Sequence, residues 1–138
     1  SKIVTTDPNE NNIRRKLNFG HTVGHAIESF YLKKNQPLLH GFAVAKGMII
    51  ESFISKKENI LIDSDYEEIK NTLTKYFGYY IDFNIKTDFL MEMMKFDKKN
   101  ISNKINFSLP ITIGEVSINH EIELKKVESY LLEFFQND

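Results

Sequence analysis

The sequence predicts a mainly α, multi-helical domain carrying one small β-hairpin. Three observations support this: apolar residues recur at three- and four-residue spacing through most of the chain, the spacing falls to two over one stretch near residue 110, and turn formers separate the periodic segments. At 138 residues and 41% hydrophobic, the chain suffices for one compact domain, taken as residues 1–138. Such a domain buries about two-thirds of its unfolded surface.

The elements follow in order. "SKIVTTDPNENN" is polar and supplies turn formers and caps rather than core. The start at Ser1 and this polar opening lead us to expect a piece of a longer protein. Ile13, Leu17, Val23, Ala26, Ile27 and Phe30 fall near helical spacing, giving two helical pieces interrupted around Gly20, the second reaching about Leu32. "KKNQP" ends that pattern. From Leu39 to about Lys57, "LHGFAVAKGMIIESFISKK" reads as a helix with small residues early, weakest at Gly41 and Gly47. Asp63 or Ser64 caps a helix whose stripe is Ile69, Leu73 and Phe77, with Gly78 as its stop. "TDFLMEMMKFDKK" gives a shorter helix capped by Thr87 or Asp88. "KINFSLP" and "GEVSINHE" then alternate around Pro110 and Gly114, the pattern of a hairpin. Leu124, Val127, Leu131 and Phe134 close the chain at helical spacing. Phe30, Phe53, Tyr76, Phe77, Phe89, Phe134 and Phe135 read as core, and no repeat or low-complexity tract is evident.

Composition narrows the function. Eighteen basic and 19 acidic residues leave a net charge of −1, so no global field favours nucleic acid or an anionic membrane. Without cysteine there are no disulfides, thiolate metal sites or cysteine nucleophiles, and any metal must be held by His and carboxylates. No apolar run approaches the ~20 residues of a membrane-spanning helix, and no basic-then-apolar leader is present. A cytoplasmic location is expected.

The chemistry concentrates in "LNFGHTVGHAIESF". Four residues advance a helix by ~400°, so His21 and His25 lie one turn apart on one side, and His40 can turn back toward them. Neutral imidazoles suit zinc. Gly20 and Gly24 each cost up to ~1 kcal/mol relative to alanine in a helix interior, a cost usually offset by close approach of a backbone, ligand or phosphate; Gly41 after His40 repeats the pattern. Arg14, Asn18, His21 and His25 form one stripe of donors suited to a polyhydroxylated, negatively charged small molecule. "FDKKN" at 96–100 is a second basic spot, and His120 reads as a surface residue.

The stretches "DPNENNIRRKLNFGHTVGHAIE", "LLHGFAVAKGM" and "MKFDKKNISNKINFSLPITIGEV" together resemble the C-terminal half of the 3-dehydroquinate synthase family, sugar-phosphate cyclases of the shikimate pathway. The resemblance implies the helical domain of dehydroquinate synthase and glycerol dehydrogenase-like proteins. Family members precede it with a Rossmann-like NAD-binding domain, whose sequence is not in this chain, so no NAD-binding residue is assigned here. It implies His21 and His40 as ligands of zinc or another divalent metal such as cobalt, with a third, glutamate ligand from before residue 1. It implies His25 as a substrate-contacting residue that helps proton transfer near the phosphate, Asn18 as a substrate ligand, Arg14 as an arginine reaching the neighbouring subunit's site in a homodimer, and Lys98 or Lys99 as a phosphate ligand. The implied reaction converts 3-deoxy-D-arabino-heptulosonate 7-phosphate to 3-dehydroquinate and phosphate, with NAD taking and returning a hydride. It would also explain the glycines, as bulk removed where substrate and metal crowd the helices.

Two positions depart from the family pattern: Phe42 replaces a common glutamate in "HGFAVAK", and Lys46 stands where a small or apolar residue is usual. The rival readings are another sugar-phosphate cyclase and a non-catalytic helical metal-binding module. The expectation is the C-terminal domain of the synthase, inactive alone.

Overall fold

The computed structural model describes residues 19–36, 40–77, 85–95 and 103–137. In chain order the elements are α1 (His21–Lys33), α2 (His40–Lys57), α3 (Asp63–Phe77), α4 (Thr87–Lys95), β1 (Lys104–Thr112), β2 (Glu115–Glu123) and α5 (Leu124–Asn137). Helices with one antiparallel hairpin are the architecture expected from the periodicity. The expected helical piece from Ile13, the Gly78 stop, and Arg14, Asn18, Lys98 and Lys99 lie outside the described residues.

Helix α2 is the axis of the domain. From Ala43 to Ser55 every residue is buried or half-buried, because α1, α3, β1 and α5 all pack on it. A helix surrounded in this way has no single apolar stripe, which accounts for the nearly continuous run "AVAKGMIIESFIS". Ile50 and Ile54 meet a core of Val23, Ile27, Leu90, Met94, Ile105, Phe107, Leu109, Val127 and Leu131, all at most 1% exposed. Each such side chain contributes about 1.5–3 kcal/mol on burial.

Asparagine ends two of the helices. Asn35 and Asn59 have φ of 56° and 61°, and the amides three residues past each helix end reach back, Gln36 to Tyr31 O at 3.0 Å and Ile60 to Ser55 O at 2.9 Å. These are Schellman closures with asparagine in the left-handed position glycine more often takes. The helix starts differ from expectation. Tyr66 N–H donates to Ile62 O and Leu90 N–H to Lys86 O, so the flanking positions are Ile62 and Lys86, and Asp63 and Thr87 already lie inside their helices.

In the hairpin, Ile105, Phe107 and Leu109 alternate inward. The register shifts between Phe107 and Leu109 and again between Pro110 and Thr112, and Asn119 takes a φ of 62° at the first irregularity. Pro110, which has no N–H to give a ladder, sits beside the second, and its carbonyl accepts a 2.6 Å bond from Ser55 Oγ of α2. His120 is half-buried rather than a free surface residue, with Nε2 2.7 Å from Ser117 Oγ. Tyr76, expected in the core, is 78% exposed. It lies in the last turn of α3, where Phe77 already occupies the place against Gly41 and Phe42.

The crossing of α1 over α2 positions the histidines, and it is unusually close. A Cβ on Gly47 would overlap Gly20 O and stand 2.6 Å from Gly24 N. The space at Gly20, Gly24 and Gly47 is therefore filled by the backbone and side chains of the facing helix, not by substrate or metal, which corrects the expectation for these three. Gly47 is a contact point rather than a weak one. Gly41 is different, with only Phe77 Cε1 near, at 3.7 Å.

Two predictions follow from this packing. Gly47→Ala gains helix propensity of up to ~1 kcal/mol, yet forces two backbones apart, so a net destabilisation of about 1–3 kcal/mol is expected in urea unfolding; an unchanged midpoint would refute the close contact. At the far end of α2, Tyr130 donates its phenol proton to Glu58 Oε2. Burial, that hydrogen bond and the charges of Glu58 and Glu133 push its pKa from 10.0 up to about 12. The folded state therefore favours the protonated phenol, a stabilisation complete below pH 10 and lost as pH rises through about 12. The ultraviolet titration of native protein should lose one late phenol in Tyr130→Phe and be otherwise unchanged.

Candidate functional site

Gly20 opens α1 in the left-handed region, φ 87° and ψ −15°, and carries no side chain to cap the helix. The cap comes from 31 residues away. Glu51 of α2, 0% exposed, accepts the Gly20 N–H at 2.8 Å through Oε1 and the Val23 N–H at 2.9 Å through Oε2. These amides lack helical partners, and a carboxylate also complements the positive end of the helix dipole. Sequence reasoning missed Glu51. Its signal was a single carboxylate inside the apolar run "GMIIESFIS".

His21, the first residue of α1, lies between the two clamped amides. Its Nδ1 is buried with no hydrogen-bond partner. His25 is exposed one turn later, with ring centroids 5.3 Å apart. His40, the first residue of α2, does turn back, its ring 5.6 Å from His21 and 6.1 Å from His25. The His40 Nδ1 lies 3.3 Å from Glu28 Oε1. The structure thus brings together the three histidines singled out in the sequence and adds Glu28 and Glu51.

Beside the rings is an open cavity of about 320 Å³ lined by His21, His40, Gly41, Val44, Ala45, Met48 and Phe77. Its lining is almost wholly apolar apart from the imidazoles. Phe42, the departure from glutamate, packs edge-on against Phe77 with centroids 5.7 Å apart. Lys46 is 8% exposed and sets its Nζ 5.0 Å from the centre of the Phe134 ring, toward α5 rather than the histidines.

The donor chemistry fits a borderline metal. Imidazole nitrogens suit zinc and cobalt, His21 Nδ1 is a buried polar atom without a partner, and a carboxylate behind His40 is the usual outer partner of a metal-bound imidazole. Among the described residues, no group of three or more His, Cys, Asp or Glu closes around a cation. The described residues thus offer an open, partial donor set.

Known proteins resemble this chain in sequence and in fold. The family described as "3-dehydroquinate synthase C-terminal" matches residues 1–100. The 3-dehydroquinate synthase of Parabacteroides distasonis is 40% identical over 129 residues, covering 91% of this chain and 36% of that protein. That of Thermodesulfovibrio yellowstonii is 39% identical over 132 residues, 92% of this chain and 36% of that protein. The chain thus spans about a third of the length of these relatives. Among solved structures, 2-deoxy-scyllo-inosose synthase complexed with carbaglucose-6-phosphate, NAD+ and Co2+ superposes with a TM-score of 0.72 at 22% identity, over 84% of this chain and 32% of that one. The 2-epi-5-epi-valiolone synthase of Streptomyces hygroscopicus, with NAD+ and Zn2+ bound, gives 0.68 at 20% identity, over 88% and 33%. At such identities these two likenesses show a common fold. The match over residues 1–100 makes the chain a member of the 3-dehydroquinate synthase C-terminal family.

Proposed function

We propose that this chain is the metal- and substrate-binding part of a 3-dehydroquinate synthase, which converts 3-deoxy-D-arabino-heptulosonate 7-phosphate to 3-dehydroquinate and phosphate. The observation that supports this best is the meeting of His21, His25 and His40 from two helices, with Glu28 behind His40. His21 and His40 would hold the metal, and Glu28 orients the His40 ring so that Nε2 is left for it. The metal would supply Lewis acidity at neighbouring hydroxyls, and NAD, bound mainly by the N-terminal domain of family members, would accept and return a hydride.

The remaining roles belong to the chain's own groups. His25 is exposed beside the other two rings, and its imidazole moves a proton near the substrate phosphate, accepting at one nitrogen and donating at the other. Arg14, Asn18 and one lysine of the Lys98–Lys99 pair bind the phosphate and hydroxyls through charge-assisted hydrogen bonds, an assignment resting on their motifs. The working form is a cytoplasmic homodimer with a small sugar phosphate as its partner. Alone, the 138 residues are inactive, because two imidazoles bind zinc weakly and an open cavity does not exclude water.

A second reading, another sugar-phosphate cyclase, draws on the fold shared with the inosose and valiolone synthases. Identities of 39–40% to dehydroquinate synthases against 20–22% to those enzymes favour the first. The test is phosphate release from the heptulosonate phosphate by the full-length enzyme with NAD and zinc. His21→Ala should lower turnover to below about one hundredth, the loss of a few kcal/mol of metal-derived stabilisation. His25→Ala should lower it by about 10²–10⁴ while zinc content is retained. Turnover of a different phosphorylated sugar, with none of this one, would move the assignment to the second reading.

A further inference from the structure

Glu51 is not a candidate metal ligand. It is fully buried, and each of its oxygens already accepts a main-chain amide. What distinguishes it is which amides these are. Gly20 and Val23 bracket His21, so the carboxylate grips the backbone on both sides of that ring's attachment point. Gly20 has no side chain to do this, and its left-handed φ of 87° leaves the entry to α1 dependent on an outside partner.

The helix supplying the grip is the one that carries His40. Eleven residues separate His40 from Glu51, three turns of helix within about 20°, so both lie on the side of α2 that faces α1. Gly47 lies on that same side, against Gly20 and Gly24. One rigid rod thus bears one imidazole directly and determines the height and rotation of the other through its carboxylate. The 5.6 Å spacing of the His21 and His40 rings is the separation this linkage fixes. With each oxygen accepting one amide, the side chain is held against the backbone that carries the His21 ring.

We infer that Glu51 is the positioning residue of the histidine site, clamping the amides that flank His21 from the helix that carries His40 and so fixing the two rings for a divalent cation. The inference rests on the metal-binding reading proposed above. Glu51→Gln preserves the volume but removes the charge and turns one acceptor into a donor facing an N–H. Glu51→Asp preserves the charge and shortens the reach by one methylene.

The test is a Co2+ titration of full-length enzyme stripped of metal, followed by the visible absorption of bound cobalt and by chelator competition, with thermal melting of each metal-free variant. Leu131→Ala, a core truncation in α5 at a fully buried position, controls for loss of stability alone. The expected result is a 10- to 100-fold weaker Co2+ affinity and a changed cobalt spectrum in Glu51→Gln, with Glu51→Asp intermediate, while Leu131→Ala lowers the melting temperature and leaves affinity and spectrum as in wild type. If Glu51→Gln does not fold, Glu51→Asp is judged by the same two readouts. Affinity and spectrum unchanged in a destabilised Glu51 variant would overturn the inference and leave the metal reading intact. Wild-type Co2+ binding that survives His21→Ala unaltered would overturn the metal reading, and the inference with it.

Discussion

The carboxylate of Glu51 against the first turn of α1 is the interaction on which the rest of the site depends. Burying a charge is costly unless it is hydrogen-bonded, and a lone Glu51 in the middle of α2 would destabilise the domain. The start of α1 would be equally costly alone, with its amides turned into the interior and no capping side chain at Gly20. Each defect resolves the other. The same pairing draws α1 onto α2 closely enough that Gly47 must face the backbone of Gly20 and Gly24 without a side chain between them.

From this contact the division of labour along α2 follows. Its first turn carries His40 and Gly41 beside the open cavity, its middle carries the clamp, and its last turns are bound to the hairpin and α5. There Ser55 donates to Pro110 O and Lys57 pairs with Glu133 at 2.9 Å. The ion pair is partly solvated and adds little, whereas the apolar layer of Ile54, Leu109, Val127 and Leu131 is fully buried. Stability is therefore gathered toward one end of α2 and the histidines toward the other. The His25 and His40 rings are exposed, while half-buried His21 is fixed through its backbone.

The sequence was informative where the physics is local. Helical spacing marked α1, α2, α3 and α5 to within a residue or two, and the change to alternation marked the hairpin, because both patterns follow from one element facing one core. His21 and His25 share a face by helix geometry alone, and the small residues before and after them signalled a close approach. What approached was not legible: the three glycines at the crossing make room for a facing helix, and that pairing spans more than twenty residues. Glu51 was hidden for the same reason, since its partners are amides 28 and 31 residues away. Tyr76 sits beside Phe77 at the end of a helical stripe, and only the packing of Phe77 against Gly41 and Phe42 of α2 decides which of the two is covered. The Asn35 and Asn59 closures rest on a backbone angle that spacing does not report.

The two departures from the family pattern can be weighed by the same geometry. Phe42 and Lys46 are four residues apart, and on α2 they lie about 200° and 240° around from His40, close to opposite the stripe of His40, Gly47 and Glu51. A phenylalanine there finds Phe77 of α3, and a lysine lays its stem along the core and brings its ammonium to Phe134 of α5. Both changes are absorbed by aromatic partners on helices that do not carry a histidine. The face of α2 toward α1 retains His40, the glycine contact and the buried carboxylate. A sequence can therefore vary on one side of this helix without disturbing the imidazoles on the other, provided the clamp between α2 and α1 stays in place.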